Sequence, residues 1–288
     1  MIQSSGYFIH ANPLPDSEDA ALELIHESEE GHCLLLKGHR NDRIVVYKAL
    51  KESYRDDPVY QRMLRREYEI GVSLKHPGIC EVLAWTTLPR YGDSIEMEWI
   101  DGERMDRWLA AHPGREERRK ILLDLCDALT YLHRKQVIHK DLKPENILIT
   151  ASGPYPKILD FGLSDTDSIL TGKDPGGTRM YAAPEVLAGE AAQARSDIFS
   201  LGRIMQQMGP DFSRIARKCT EVDPSARYSS AEEVRHALES RRSMPRLLAP
   251  VFLLVVLIGL WAFLHRPDPV RALFLDAVEQ VRQTTKPS

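Results

Sequence analysis

One stretch limits what this chain can become more than any other. His139-Lys140-Asp141-Leu142-Lys143-Pro144-Glu145-Asn146 packs acids, cations and an amide into a single short segment, and Asp160-Phe161-Gly162 adds a further acid downstream. The segment is preceded by Arg115 to Arg134, where Leu122, Leu125, Leu129 and Leu132 recur at helical spacing, and followed by the strand-like run Ile147-Leu148-Ile149. A long core-facing helix and a strand can hold such a loop in a fixed geometry. The chemistry suits phosphoryl transfer, which uses carboxylate and amide oxygens to hold metal, a cation on the migrating charge, and a carboxylate to orient the attacking hydroxyl.

Other features narrow the class. The 288 residues allow one two-lobed catalytic unit and little else. With 38 basic against 42 acidic side chains there is no global positive field, so nucleic acid is not an expected partner. Cys33, Cys80, Cys126 and Cys219 stand far apart without a CxxC pair, which argues against zinc or a disulfide framework. Residues 1–19 contain Pro13, Pro15, Asp16 and Ser17 and lack sustained periodicity, so a mostly irregular lead-in is expected, with no cleaved signal. Strands are expected over Ala21 to Ile25, Cys33 to Leu36 and Ile44 to Leu50, with turns at Glu30-Gly31 and Arg40-Asn41-Asp42. Val59 to Lys75 is rich in helix formers, and Ser94 to Ile100 reads as a strand running into Asp101-Gly102.

The loop, the Asp160-Phe161-Gly162 triplet and the later Ala183-Pro184-Glu185 resemble the protein kinase family over about residues 20–242. The resemblance implies an α+β, two-lobed fold, with a small β-rich lobe over about 20–100 and a large helical lobe over about 101–242. It implies ATP and Mg2+. Asp141 would orient the attacking hydroxyl, Lys143 would neutralise the migrating phosphoryl group, and Asn146 and Asp160 would hold metal. Lys48 would face the phosphates, paired with Glu67, for which Glu69 is the rival. Cys33 and Val46 would roof the adenine, with Leu148 also in the ATP site. Met97 would guard the inner pocket, while backbone groups of Glu98 and Ile100 would bond the adenine edge. Lys143, two places after Asp141, resembles the serine/threonine type, so protein hydroxyls of Ser and Thr are the implied substrates and self-association for autophosphorylation follows. Glu185 would pair with a buried Arg227, and Asp197 would support the catalytic loop.

The chain departs from the family in three places. Of the glycines in the phosphate-covering loop only the third, Gly31, is present, with His26 and Ser28 in the other two places, so the backbone there bends less freely. Lys140 replaces the usual arginine before the catalytic aspartate and lacks its planar two-point fork. After the helix Asp197 to Met208, only Gly209-Pro210-Asp211 separates it from the helical stretch Phe212 to Thr220, which trims the large lobe. Ser164, Thr166, Ser168, Thr171 and Thr178 are open as phosphosites.

Leu247 to Leu264 contains 18 residues without a charge, about 27 Å as a helix, close to the thickness of a bilayer core. Arg241, Arg242 and Arg246 flank its amino side more densely than Arg266 and Arg271 flank the other, which puts the catalytic unit on the cytoplasmic side of a cell membrane. Residues 265–288 would be a short extracytoplasmic tail, with an amphipathic helix over Val270 to Val281. Three alternatives stay open at this stage: a nucleotide-binding scaffold without turnover, a small-molecule phosphotransferase, and a non-catalytic membrane tether.

Overall fold

Alternating side chains along two adjacent strands create the framework for the site. In the computed structural model, which describes residues 12–13, 22–27, 31–160, 178–240, 254–258 and 261, strand β3 (Cys33–Arg40) pairs antiparallel with β4 (Arg43–Leu50). The two-residue turn between them has Asn41 and Asp42 at φ 47° and 62°, the left-handed geometry that suits tight hairpins and that Asn and Asp tolerate. Because neighbours along a strand face opposite sides, Cys33, Leu35, Val46 and Lys48 line one face while Leu34, Leu36, Val45, Tyr47 and Ala49 bury themselves on the other.

These strands belong to a six-stranded sheet. It contains β1 (Asn12–Pro13), β2 (Glu23–Glu27), β5 (Val82–Leu88) and β6 (Gly92–Glu98) in the order β1-β5-β6-β4-β3-β2. The lead-in is thus not wholly irregular, since Asn12 and Pro13 run parallel to Thr86 and Thr87 at the edge opposite β2. The first expected strand lies two residues later than its apolar run, at Glu23–Glu27, with a bulge between Leu24 and His26. Two helices follow β4: the single turn α1 (Glu52–Arg55), and α2 (Pro58–Gly71). Asp57 caps α2 by accepting from the Val59 amide at 2.7 Å, and Pro58 stands in the first turn where its missing N–H costs nothing. The helix ends at Gly71, short of the expected Lys75. Its Leu64 and Tyr68 pack with Leu50, Val82, Trp85 and Ile95 under the sheet.

The large lobe begins with β7 (Gly102–Arg104) and α3 (Met105–Ala110), then α4 (Arg115–Arg134), whose bounds match the expected helix. Its stripe of Ile121, Leu122, Leu125, Leu129 and Leu132 is fully buried in the main core. Strands β8 (Ile147–Thr150) and β9 (Pro156–Ile158) complete a three-stranded sheet, β7-β8-β9. A Cβ on Gly102 would stand 2.4 Å from the Ile149 carbonyl oxygen, so β7 can approach β8 only with glycine there. The remaining helices are α5 (Pro184–Leu187), α6 (Ala194–Gln207), α7 (Ser213–Cys219) and α8 (Ala231–Ser240). Helix α6 starts three residues before Asp197, held by a reciprocal Gln193–Ser196 capping box.

The chain divides into units Met1–Leu238 and Glu239–Ser288. In the second, residues 254–258 and 261 are helical and their apolar side chains are exposed. Among the described residues, no helix is long and apolar enough to cross a membrane. Most of 247–264, all of 265–288, Ser28 and the expected phosphosites Ser164, Thr166, Ser168 and Thr171 lie outside the described residues.

Candidate active site

The cleft between the sheet and the helical lobe forms a cavity of about 730 Å³. Strand β4 brings Lys48 to its inner wall, and α2 presents Glu67 from behind. The Lys48 ammonium donates to Glu67 at 2.7 Å and to Asp160 at 2.6 Å. Lys48 and Glu67 are buried, whereas the Asp160 side chain is 41% exposed toward the cavity. The rival Glu69 points outward and is exposed. Burial opposes the charge on Lys48, but the adjacent Asp160 and Glu67 carboxylates hold its pKa well above the usual range. Glu67 is pushed up to about 7 by burial, against the pull of Lys48. Asp160 is also desolvated, yet the Lys48 charge and hydrogen bond keep its carboxyl below the ordinary value.

Below this trio lies the loop that joins α4 to β8. Asp141 accepts from the Asn146 side-chain amide at 2.9 Å, and the Asp141 backbone carbonyl accepts from the same nitrogen at 2.8 Å. Lys143 stands 2.8 Å from the Asp141 carboxylate. The loop hangs on Asp197 of α6, which is buried and accepts from the backbone amides of His139 and Lys140 at 2.9 and 3.0 Å. His133 contributes a third contact to Asp197 at 2.8 Å, a role hidden in the sequence because it sits at the end of the long helix and no local motif marks it. Lys140 and Asp160 adopt φ of 69° and 46°, left-handed backbone that non-glycine residues hold only when their surroundings enforce it. The Lys140 side chain is exposed.

Two bonds offered by Asn146 nitrogen leave its oxygen for another partner. With the part-exposed Asp160 carboxylate this supplies two hard oxygen donors lining the cavity, a set that fits Mg2+ taking the rest of its shell from phosphate and water. Among the described residues no group of three or more His, Cys, Asp or Glu forms a metal cage by itself.

The expected adenine-side residues also converge. Cys33 and Val46 come from the six-stranded sheet, Leu148 from β8, Met97 and Glu98 from the end of β6 and Ile100 from the segment just after it. Gly31 and His26 line the same space. Of the Glu98 backbone groups, the N–H donates to the Glu81 carbonyl at 3.0 Å. The Glu98 side chain is engaged too, held by Lys157 at 2.5 Å and by the Glu81 amide at 2.8 Å. Farther from the cleft, Arg227 makes the expected fork to Glu185, with both bonds at 2.8 Å, and adds bonds to the carbonyls of Glu221, Arg195 and Val222. Glu185 is buried, but Arg227 and the Ser196 hydroxyl keep its pKa low.

A β-rich lobe over a helical lobe, with a lysine–carboxylate trio above an Asp-Lys-Asn loop, defines the two-lobed protein kinase fold. The chain belongs to the protein kinase family, whose "Protein kinase domain" pattern matches residues 22–210. A probable serine/threonine-protein kinase of Streptomyces coelicolor is 29% identical over 249 residues, covering 70% of this chain and 36% of that one. The serine/threonine-protein kinase PknB of Mycobacterium leprae is 32% identical over 188 residues, covering 60% of this chain and 29% of its own. This chain therefore spans about a third of the length of these bacterial relatives. Aurora kinase B of Mus musculus is 30% identical over 230 residues, covering 75% and 66%. Among solved structures, the kinase domain of Mycobacterium tuberculosis PknI superposes with a TM-score of 0.60 at 20% identity, covering 77% of this chain and 96% of that one, a likeness of fold.

Proposed function

We propose that the chain is a membrane-anchored serine/threonine protein kinase that transfers the γ-phosphoryl group of ATP to protein hydroxyls. The observation that carries this reading is the single cavity in which Lys48 bonds both Glu67 and Asp160 while Asn146 and Lys143 hold the Asp141 carboxylate. Asp141, aimed by these two neighbours, would take the proton of the incoming hydroxyl as its oxygen bonds to the γ-phosphorus and the bridging oxygen departs with ADP. Lys143 would balance charge on the migrating group, where a water-poor cleft makes it most effective. Lys48 would leave Asp160 for the phosphates, freeing that carboxylate for metal together with Asn146. Magnesium bound there would supply charge neutralisation between the phosphates. Cys33, Val46 and Leu148 would sandwich the base, and the Glu98 carbonyl with the Ile100 backbone would read its edge. The relatives of the serine/threonine type support Ser and Thr as acceptors, and self-association would bring one chain's hydroxyls to another's cleft.

The Ala183-Pro184-Glu185 segment with its Arg227 anchor favours a protein substrate over a metabolite. The membrane part rests on Leu247 to Leu264 and on the exposed apolar helical residues within it. In this reading the kinase lies on the cytoplasmic side and residues 265–288 on the other.

Full-length chain in detergent, given γ-labelled ATP and Mg2+, should label itself or a generic protein substrate. Asp141→Asn should reduce that transfer by at least about a hundredfold. Equal labelling by the variant would remove Asp141 from the chemistry, and bound nucleotide with no transfer from the wild type would point to a scaffold.

A further inference from the structure

The loop above the nucleotide site keeps one glycine, and the residue beside it makes an unusual set of contacts. His32 directly follows Gly31 and precedes Cys33, and all three line the cavity. Its ring lies 4.8 Å from Tyr60, tilted by 44°, and 6.2 Å edge-on from Tyr54, while the two tyrosines meet at 4.7 Å. These three rings come from different elements: the end of the phosphate loop, the turn α1 and the first turn of α2. The His32 carbonyl also accepts from the Lys51 amide at 2.9 Å, which ties the loop base to the end of β4. Tyr60 lies seven residues, two helical turns, before Glu67 on α2. Cys33 and Tyr60 both pack against the inner apolar cluster that includes Leu64 and Tyr68.

We propose that His32 is a positioning residue that couples Gly31 and the start of β3 to the helix bearing Glu67. The aromatic packing of His32 on Tyr54 and Tyr60 fixes Gly31 relative to Lys48 and Glu67. Part of the cost of ordering Gly31 against nucleotide is then met before binding. The effect falls on nucleotide affinity and leaves the Asp141 step untouched. The inference rests on the reading of the cavity as an ATP site.

The experiment uses the full-length chain in detergent with Mg2+ and a fluorescent ATP analogue. It compares wild type, His32→Ala, His32→Phe, Tyr60→Leu and the double variant His32→Ala/Tyr60→Leu, with thermal melts and steady-state kinetics on each. His32→Ala should weaken nucleotide binding and raise the KM for ATP by about three- to tenfold, the range expected for lost aromatic contacts, with kcat within about twofold. His32→Phe keeps a ring and should bind nearly as wild type. The double variant should bind no worse than the poorer single variant, since both remove the same coupling. If His32→Ala does not fold, His32→Gln, which keeps bulk without the ring, carries the same comparison against His32→Phe. Unchanged affinity in the ringless variants, equal loss in His32→Phe, or additive losses in the double variant would overturn the proposal. Binding requires no turnover, so a wild type that binds without transferring phosphate defeats the kinase reading and still decides His32. A wild type that binds no nucleotide overturns both.

Discussion

Lys48 bonds one buried and one part-exposed carboxylate, and the pKa shifts of those carboxylates run in opposite directions. Glu67 sits near 7, above its ordinary 4.5, because burial penalises its charge more than Lys48 rewards it. Between those pH values the folded chain holds a proton that the unfolded chain has already released. The contribution of Glu67 to stability is therefore full below about 4.5 and is lost as the pH rises through about 7. Asp160, held low, contributes above its ordinary range and loses that contribution only on strong acidification. Glu67→Gln should flatten the wild-type decline of stability between pH 5 and 7, whose slope can reach about 1.4 kcal/mol per pH unit for one proton. Urea melts at three pH values across that window measure it, and an unchanged slope in the variant would assign the decline to another group. The site residues near the loop were readable in the sequence because their roles are local: Asn146 stands five positions after Asp141. The side-chain bonds of Asp160 and the support of His133 were not, since both depend on contacts between distant segments.

At the scale of elements, the large lobe is tied together where small residues and one buried pair allow close approach. Arg227 anchors the start of α5 through Glu185 and binds three carbonyls of its own neighbourhood, so removing the guanidinium strands a buried carboxylate. Arg227→Met should cost about 3 to 5 kcal/mol, seen as a lowered melting temperature. Arg227→Lys should recover only part of that loss, because an ammonium cannot reproduce the two-point fork. Helices α6 and α7 meet at Gly202, where an added Cβ would stand 2.5 Å from the Cys219 Cβ and 2.8 Å from the Thr220 Cγ2. Gly202→Ala gains helix propensity but forces these helices apart, and a net loss of about 1 to 3 kcal/mol is expected by calorimetry. The strongly periodic α4 was legible to its ends. Strands β7 and β9 have three residues each, too few for a period to register, and β1 has two. Nothing in Asn12-Pro13 announces a parallel pairing with residues more than seventy positions away, because that pairing depends on sheet geometry and not on local propensity.

Across the whole molecule, two kinds of apolar surface have different fates. In the unit ending at Leu238, the large side chains of the core are withdrawn from water around α4. In the other unit, Leu254, Val255, Val256, Leu257, Ile258 and Trp261 are 47 to 63% exposed. At roughly 25 cal/mol per Å² of apolar surface, a stretch of this composition is unstable in water unless something apolar covers it. In the proposed function, bilayer lipid would meet that requirement over 18 uncharged residues, with the arginines before Leu247 setting the orientation. Full-length protein should therefore sediment with membranes and resist carbonate extraction, while residues 1–242 should remain in the supernatant. Leu254→Arg with Leu257→Arg should release the full-length chain, since each central arginine costs about 2.5 to 3.5 kcal/mol on insertion. Full-length chain in the supernatant as a defined oligomer would instead assign this apolar stretch to contact between copies.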